Sequence, residues 1–182
     1  IAELVSGLRQ LPIADELDET LVSGVLLREA QEAEAVALAE SPLWADAGLI
    51  GQAFDFASME FDYADFLTRV RGSASPAFYQ PLSDEMFLIE QADDLTAVAQ
   101  LGYVRQLIYL LQDQNFDLDV LYNGELTLDG ALALAALSEG EATVLQENFL
   151  TARYLPLEPA VIPETFVLDT AVLAGAPIPI AS

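Results

Sequence analysis

The apolar and polar positions of the chain recur with two different periods, which divide it into predicted helices and short strands. Residues 95–114 are apolar on nearly every side of a helix and predict a buried central helix. Residues 129–154 are rich in Ala and Leu and predict one or two helices, with a break or kink near Gly140. Further helices are predicted at residues 2–10, 26–40 and 59–70, and strands at residues 20–25, 77–79 and 85–89.

Turn-forming residues separate the last two predicted strands, so that these two strands predict a β-hairpin. Pro81, Ser83 and Asp84 are the residues that favour such a turn. The fold class is therefore predicted to be α+β and mainly helical, with a central helix pair and a small β-hairpin or sheet. We assign residues 1–72 to a mainly helical N-terminal part, 73–155 to a core and 156–182 to a proline-rich tail, and we expect one compact unit.

The charge of the chain restricts the partners that it can have. The chain has 30 acidic residues and 6 basic residues, and its formal charge is -24. All six basic residues are arginine. Hydrophobic residues make up 53% of the chain, which is enough for a folded core. A surface this negative repels phosphate backbones and anionic lipid headgroups. We therefore exclude nucleic-acid binding and electrostatic membrane binding. A protein or peptide partner, if there is one, should be basic or neutral.

Histidine and cysteine are both absent, which restricts the chemistry further. Without histidine there is no Ser-His-Asp triad, no imidazole base and no His-ligated metal. Without cysteine there is no disulfide, no thiol nucleophile and no Cys-ligated metal. We therefore expect no metal and no other cofactor, and the groups left for chemistry are carboxylates, Tyr, Ser, Thr and Arg.

Two blocks of sequence are distinctive: residues 102–118 (GYVRQLIYLLQDQNFDL) and residues 136–143 (ALSEGEAT). Together they resemble a family of bacterial zincin-type metallopeptidase-like proteins, in which one helix reads HExxHALQDQxFDL and a later helix reads ALxEGDA. Residues 77–81 (AFYQP) are similar to that family's GFYDP segment. The resemblance covers most of the chain and is most specific at residues 111–118 and 139–142. It implies that residues 73–155 form a zincin-like core.

In peptidases of this type, two histidines four residues apart bind zinc, the Glu after the first activates a water, and a Glu from a second helix completes the ligand set. The resemblance places Arg105 at the first histidine, Gln106 at the base, Tyr109 at the second histidine and Glu139 at the third ligand. Arginine has no lone pair for a metal, and glutamine cannot accept a proton as a base. The resemblance therefore implies a degenerate site without zinc chemistry, and we assign no catalytic residue.

Arg105 and Tyr109 lie four residues apart, so on a helix they share a face, which should point at Glu139. We expect the Arg105 guanidinium to pair with Glu139 and to replace the metal as the link between two helices. If Glu139 is buried, its carboxylate needs a charged partner, because a lone buried charge is costly. The alternative is that Glu139 caps or solvates a helix break at Gly140.

A second group of acidic residues, Asp113, Asp117 and Asp119, precedes Asn123 and Gly124 and could suggest a calcium site. Their spacing is not that of an EF-hand loop, and a run of acids in so acidic a chain is usually a solvated face. We therefore interpret the group as solvated, with Asp117 forming loop hydrogen bonds.

The sequence favours a non-catalytic, metallopeptidase-like module with a binding or structural role. Two alternatives stay open: a metal-independent hydrolase that uses carboxylates and Tyr109, and a purely structural segment of a larger exported protein. Because such proteins are commonly exported, the resemblance also implies an extracytoplasmic location.

Overall fold

A computed structural model of the chain describes residues 1–14, 17–40, 49–55, 57–58, 60–62, 65–66, 75–90, 97–121 and 125–154. Over these ranges the protein is mainly helical with one three-stranded sheet, so the predicted α+β class is confirmed. The elements are helices α1 (Ala2–Arg9), α2 (Gly24–Glu40), α3 (Ala97–Phe116) and α4 (Leu128–Tyr154), with strands β1 (Glu19–Val22), β2 (Ala77–Gln80) and β3 (Glu85–Ile89). The predicted helix at 59–70, in large part, and the tail at 156–182 lie outside the described residues.

The sheet has the strand order β1-β3-β2, with β3 in the centre. β2 and β3 form the predicted hairpin and are antiparallel, with Phe78 opposite Phe87. The connection is one 3-10 turn followed by Asp84, whose φ of 55° is a conformation that Asp tolerates better than most residues. β1 pairs with β3 in parallel, so the N-terminal part of the chain contributes a strand to the sheet of the core.

Helix α3 lies at the centre of the molecule, as its all-round apolar pattern predicts. Val104, Leu107, Ile108 and Leu111 are completely buried in the main hydrophobic core. One side of α3 packs on β2, and other sides contact α1 and α4. Burial on several sides explains why this helix has little amphipathic character.

Helix α4 is a single helix of 27 residues that continues through Gly140. Of the two predicted possibilities, a single helix is confirmed and a break at Gly140 is wrong, so Glu139 does not cap a helix end. A glycine inside a helix costs only about 1 kcal/mol relative to alanine, and packing of the inner face of α4 offsets that cost. Ala142 and Phe149, both on that inner face, are completely buried.

None of the helices in the described ranges has both the length and the apolar character that a membrane span requires.

Candidate functional site

Helix α3 places Arg105 and Tyr109 one turn apart on the side that faces α4. The guanidinium carbon of Arg105 lies 5.6 Å from the centroid of the Tyr109 ring, within the range of a cation–π contact. Both side chains are partly buried. The aromatic ring therefore packs against the guanidinium, which reaches Glu139 on α4.

Arg105 joins α3 to α4 through two contacts. Its Nη2 forms an ion pair with Glu139 Oε2, which confirms the predicted pairing. Its Nη1 donates a hydrogen bond of 2.9 Å to Gln146 Oε1, and Gln146 Nε2 in turn donates to the Leu101 carbonyl at 2.8 Å. The sequence reasoning missed Gln146, which is 4% exposed and two helical turns beyond Glu139.

The premise behind the predicted pairing was wrong, because Glu139 is not buried. Its side chain is 52% exposed, against 27% for Arg105. An ion pair with one partner in solvent contributes about 0 to 1 kcal/mol. The buried hydrogen bonds through Gln146 are the stronger part of the link, since their loss would leave polar groups unpaired away from water.

The phenol of Tyr109 is unsuited to act as a base. Burial raises the pKa of Tyr109 above its ordinary value, and the nearby Glu139 carboxylate raises this pKa further. The Arg105 guanidinium lowers it, but the net direction is upward. Tyr109 therefore stays protonated at neutral pH.

Gln106 does not join the other three residues. Its Oε1 accepts a hydrogen bond of 3.0 Å from the Tyr79 backbone N–H on β2. This contact ties α3 to the hairpin, and it occupies the oxygen that a catalytic base would need free. Three of the four predicted site residues, Arg105, Tyr109 and Glu139, thus lie together. The fourth, Gln106, is hydrogen-bonded to strand β2 instead.

These residues do not fit a zinc ion. The group nearest to Glu139 is a guanidinium, which is permanently charged and offers no lone pair. Among the described residues, no group of three or more acidic side chains is placed to hold a metal ion either. No protein-family model, curated protein or solved structure matches this chain. The zincin-like core therefore stays a prediction from the sequence motifs.

The resemblance is most specific at residues 111–118. Side chains of this run form hydrogen bonds with other parts of the fold. Gln112 Nε2 on α3 donates to Glu141 Oε2 at 2.7 Å and so reaches α4. Gln114 Oε1 accepts from the Ala14 backbone N–H at 3.0 Å. Asn115 Nδ2 donates to the Pro12 carbonyl at 3.3 Å. The run therefore fastens the segment after α1, and also α4, to the end of α3.

Asp113 in the same run is a buried carboxylate, so the interpretation of this acidic group as a solvated face is wrong at this position. Asp113 is 9% exposed. Its Oδ2 accepts a hydrogen bond of 2.7 Å from the Tyr79 hydroxyl, and its Oδ1 accepts from the Leu118 backbone N–H. Asp117, in contrast, is exposed and ends α3 with a φ of 57°. Asp113 therefore holds the β2 strand and the chain after α3 in place.

Four carboxylates lie close to one another around Asp113. Burial raises the pKa of Asp113, and the neighbouring Asp84 and Asp117 raise it further, while its hydrogen bonds from Tyr79 and Leu118 lower it. Burial also raises the pKa of Asp119, with additional repulsion from Asp113, Asp117 and Asp84. Oδ1 of Asp119 is inaccessible to solvent and has no hydrogen-bond partner among the described residues. The cluster is thus under electrostatic strain at neutral pH.

This strain predicts that mild acidification stabilises the protein. A carboxyl whose pKa is higher in the folded than in the unfolded chain binds more protons when folded, so stability falls as the pH rises through the raised pKa. We expect the free energy of unfolding, measured with urea, to fall as the pH rises from about 4, the ordinary carboxyl pKa, toward neutrality. Asp119→Asn should be more stable than the wild type at neutral pH and should reduce this dependence. An unchanged pH profile in Asp119→Asn would contradict the assignment.

Proposed function

We propose that this chain is a non-catalytic, metallopeptidase-like module that serves a binding or structural role. The observation that carries the proposal is the contact of Arg105 with Glu139. The motif resemblance assigns these two positions to the first and third ligands of a zinc ion. A cationic side chain here stands between two helices where a peptidase of that type would hold its cation.

The placement of Tyr109 supports the same correspondence. A zinc site of this type needs two positions four residues apart on one helix that face a glutamate of another helix. Arg105 and Tyr109 have this relation to Glu139, as the ring contact and the effect of Glu139 on the pKa of Tyr109 indicate. This arrangement supports the proposed correspondence with a zinc motif that has lost its ligand side chains.

The alternative of a metal-independent hydrolase has less support. Tyr109 stays protonated, because burial and Glu139 raise its pKa. Glu139 is paired with Arg105, and Gln106 accepts a hydrogen bond from β2. None of the three therefore offers an uncommitted base to activate water.

A binding or structural role is compatible with how the space between α3 and α4 is filled. Arg105 and Gln146 bridge the two helices there. A surface depression lies elsewhere, on α4, and is lined by residues that include Leu137 and Val144 but not Arg105 or Tyr109. A filled site favours a structural role at this place and a binding role, if there is one, at another surface. We further propose an extracytoplasmic location, which rests on the family resemblance alone.

Metal analysis and a peptidase assay test this proposal on the purified chain. We expect no bound zinc after incubation with the metal and desalting, because Arg105 offers no ligand atom. We also expect no cleavage of a mixture of unfolded protein substrates. Zinc at one ion per chain, or cleavage that a chelator abolishes, would contradict the proposal.

A further inference from the structure

The side of α4 that faces away from the core leaves apolar residues open to solvent. Leu137 is 69% exposed and Val144 is 55% exposed, and Ala133 and Gly140 on the same side are exposed too. These four residues, here called the outer stripe of α4, follow one another at intervals of four, three and four residues. That is the spacing with which one helix meets another in a coiled coil.

The outer stripe borders a shallow hollow of about 370 Å³ between Leu137 and Val144. Gly140 lines the hollow, and a Cβ built there would point into open space with no atom within 4 Å. Alternation of large and small residues along a helix provides holes for the side chains of a second helix. The shape therefore suits a helix better than an extended or irregular segment.

The charges around the outer stripe indicate the chemistry of that helix. Asp129 and Glu147 are exposed near its two ends, and within the described ranges neither forms an ion pair. Arg9 and Arg105 could have neutralised part of this negative charge, but they form ion pairs with Glu141 and Glu139. A chain of net charge -24 attracts cations over long range and orients a basic partner as it approaches.

We infer that the outer stripe of α4 docks a basic amphipathic helix of a protein or peptide partner. Apolar residues of that helix would fill the hollow, and its Lys or Arg residues would lie beside Asp129 and Glu147. The inference specifies a partner for the binding role proposed above and rests on that role. It uses a different side of α4 from the Arg105 cluster, so the two can be tested separately.

Two other occupants fit the same surface less well. A second copy would bring acidic residues against acidic residues. Residues 155–182 of this chain carry Glu158, Glu164 and Asp169 as their only charged residues, so they too would be repelled.

A synthetic helix tests the inference on the full chain. The probe is a fluorescein-labelled peptide of about three heptads, with Leu at two positions of each heptad and Lys beside them. Its control has Glu in place of each Lys. We expect the basic peptide to bind, as measured by anisotropy, and to bind more weakly as salt is added. The acidic peptide should not bind.

Leu137→Glu should weaken binding of the basic peptide at least about tenfold, because it places a charge in the hollow. Leu21→Glu is the matched control, since Leu21 is the same residue type with 67% exposure but lies on β1, and it should leave binding unchanged. Equal binding by wild type and Leu137→Glu would mean that charge alone attracts the peptide and would overturn the inference. Equal binding of the basic and acidic peptides would also overturn it.

A photo-crosslinking residue at position 137 identifies the occupant directly. A crosslink to the added basic peptide supports the inference. A crosslink between two chains, or to residues 155–182 of the same chain, would overturn it in favour of those occupants. Failure of peptide binding would leave the non-catalytic assignment intact, whereas zinc binding or peptidase activity would overturn that assignment whatever the peptide does.

Discussion

A variant with Arg105→His, Gln106→Glu and Tyr109→His is expected to bind one zinc ion per chain, whereas the wild type is expected to bind none. Two histidines four residues apart on α3 would lie on the side that now reaches Glu139. With Glu139 they would supply three ligands, leaving the fourth position to water as in catalytic zinc sites. We expect a dissociation constant of about 1 μM or tighter, measured by competition with a chromogenic chelator.

Two controls test whether zinc binding depends on positions 105, 109 and 139 acting as the ligands of one site. Adding Glu139→Gln to the triple variant removes the third ligand and should weaken zinc binding at least about tenfold. A second variant, Ala133→His with Leu137→His, places the same pair on the exposed side of α4. Two results would show that positions 105, 109 and 139 do not form the remnant of a zinc site. One is that the triple variant binds zinc no more tightly than the surface pair does. The other is that Glu139→Gln leaves zinc binding by the triple variant unchanged.

Asp113→Ala is expected to reduce the free energy of unfolding by about 2 to 4 kcal/mol. The change would remove the acceptor of the Leu118 backbone N–H and the closer of the two acceptors of the Tyr79 hydroxyl. Donors left unpaired in a buried region lose their hydrogen bonds to water without replacement. Urea unfolding followed by tryptophan fluorescence or circular dichroism measures the loss.

Asp113→Asn is the matched control for that prediction. The amide keeps the shape of the side chain and an oxygen that can accept from Leu118, while it removes a negative charge next to Asp84 and Asp117. We therefore expect Asp113→Asn to lie within about 1 kcal/mol of the wild type at neutral pH. Equal destabilisation by Asn and Ala would show that the carboxylate charge, and not hydrogen-bond acceptance, is what this position supplies.

The contacts of residues 111–118 change how the motif itself is understood. In the sequence, this run was the most specific mark of a peptidase-like helix. In the structure, Gln112, Asp113, Gln114 and Asn115 connect α3 to α4, β2 and the segment after α1. Side chains of this kind hold a helix in place whether or not it carries metal ligands.

The sequence by itself determined the elements whose patterns are local. The all-round apolar pattern of α3 and the turn residues around Pro81 predict a buried helix and a hairpin, and both are present. The absence of histidine is a matter of composition and needs no structure. The pairing of Arg105 with Glu139 could also be predicted, because residues four apart on a helix share a face and the motif named the second helix.

Only the tertiary structure decided which polar groups are buried and what they contact. Gln106 bonds to β2, Gln146 completes the Arg105 link, and Asp113 is enclosed while Glu139 is half exposed. Gly140 lies inside a continuous helix because packing of α4 outweighs the small local cost of a glycine. The contacts between elements that decide these outcomes join residues 27 to 41 positions apart, from Tyr79 with Gln106 to Arg105 with Gln146. Helical periodicity specifies which side chains share a face, but the neighbour that a face meets is determined by how the whole chain packs.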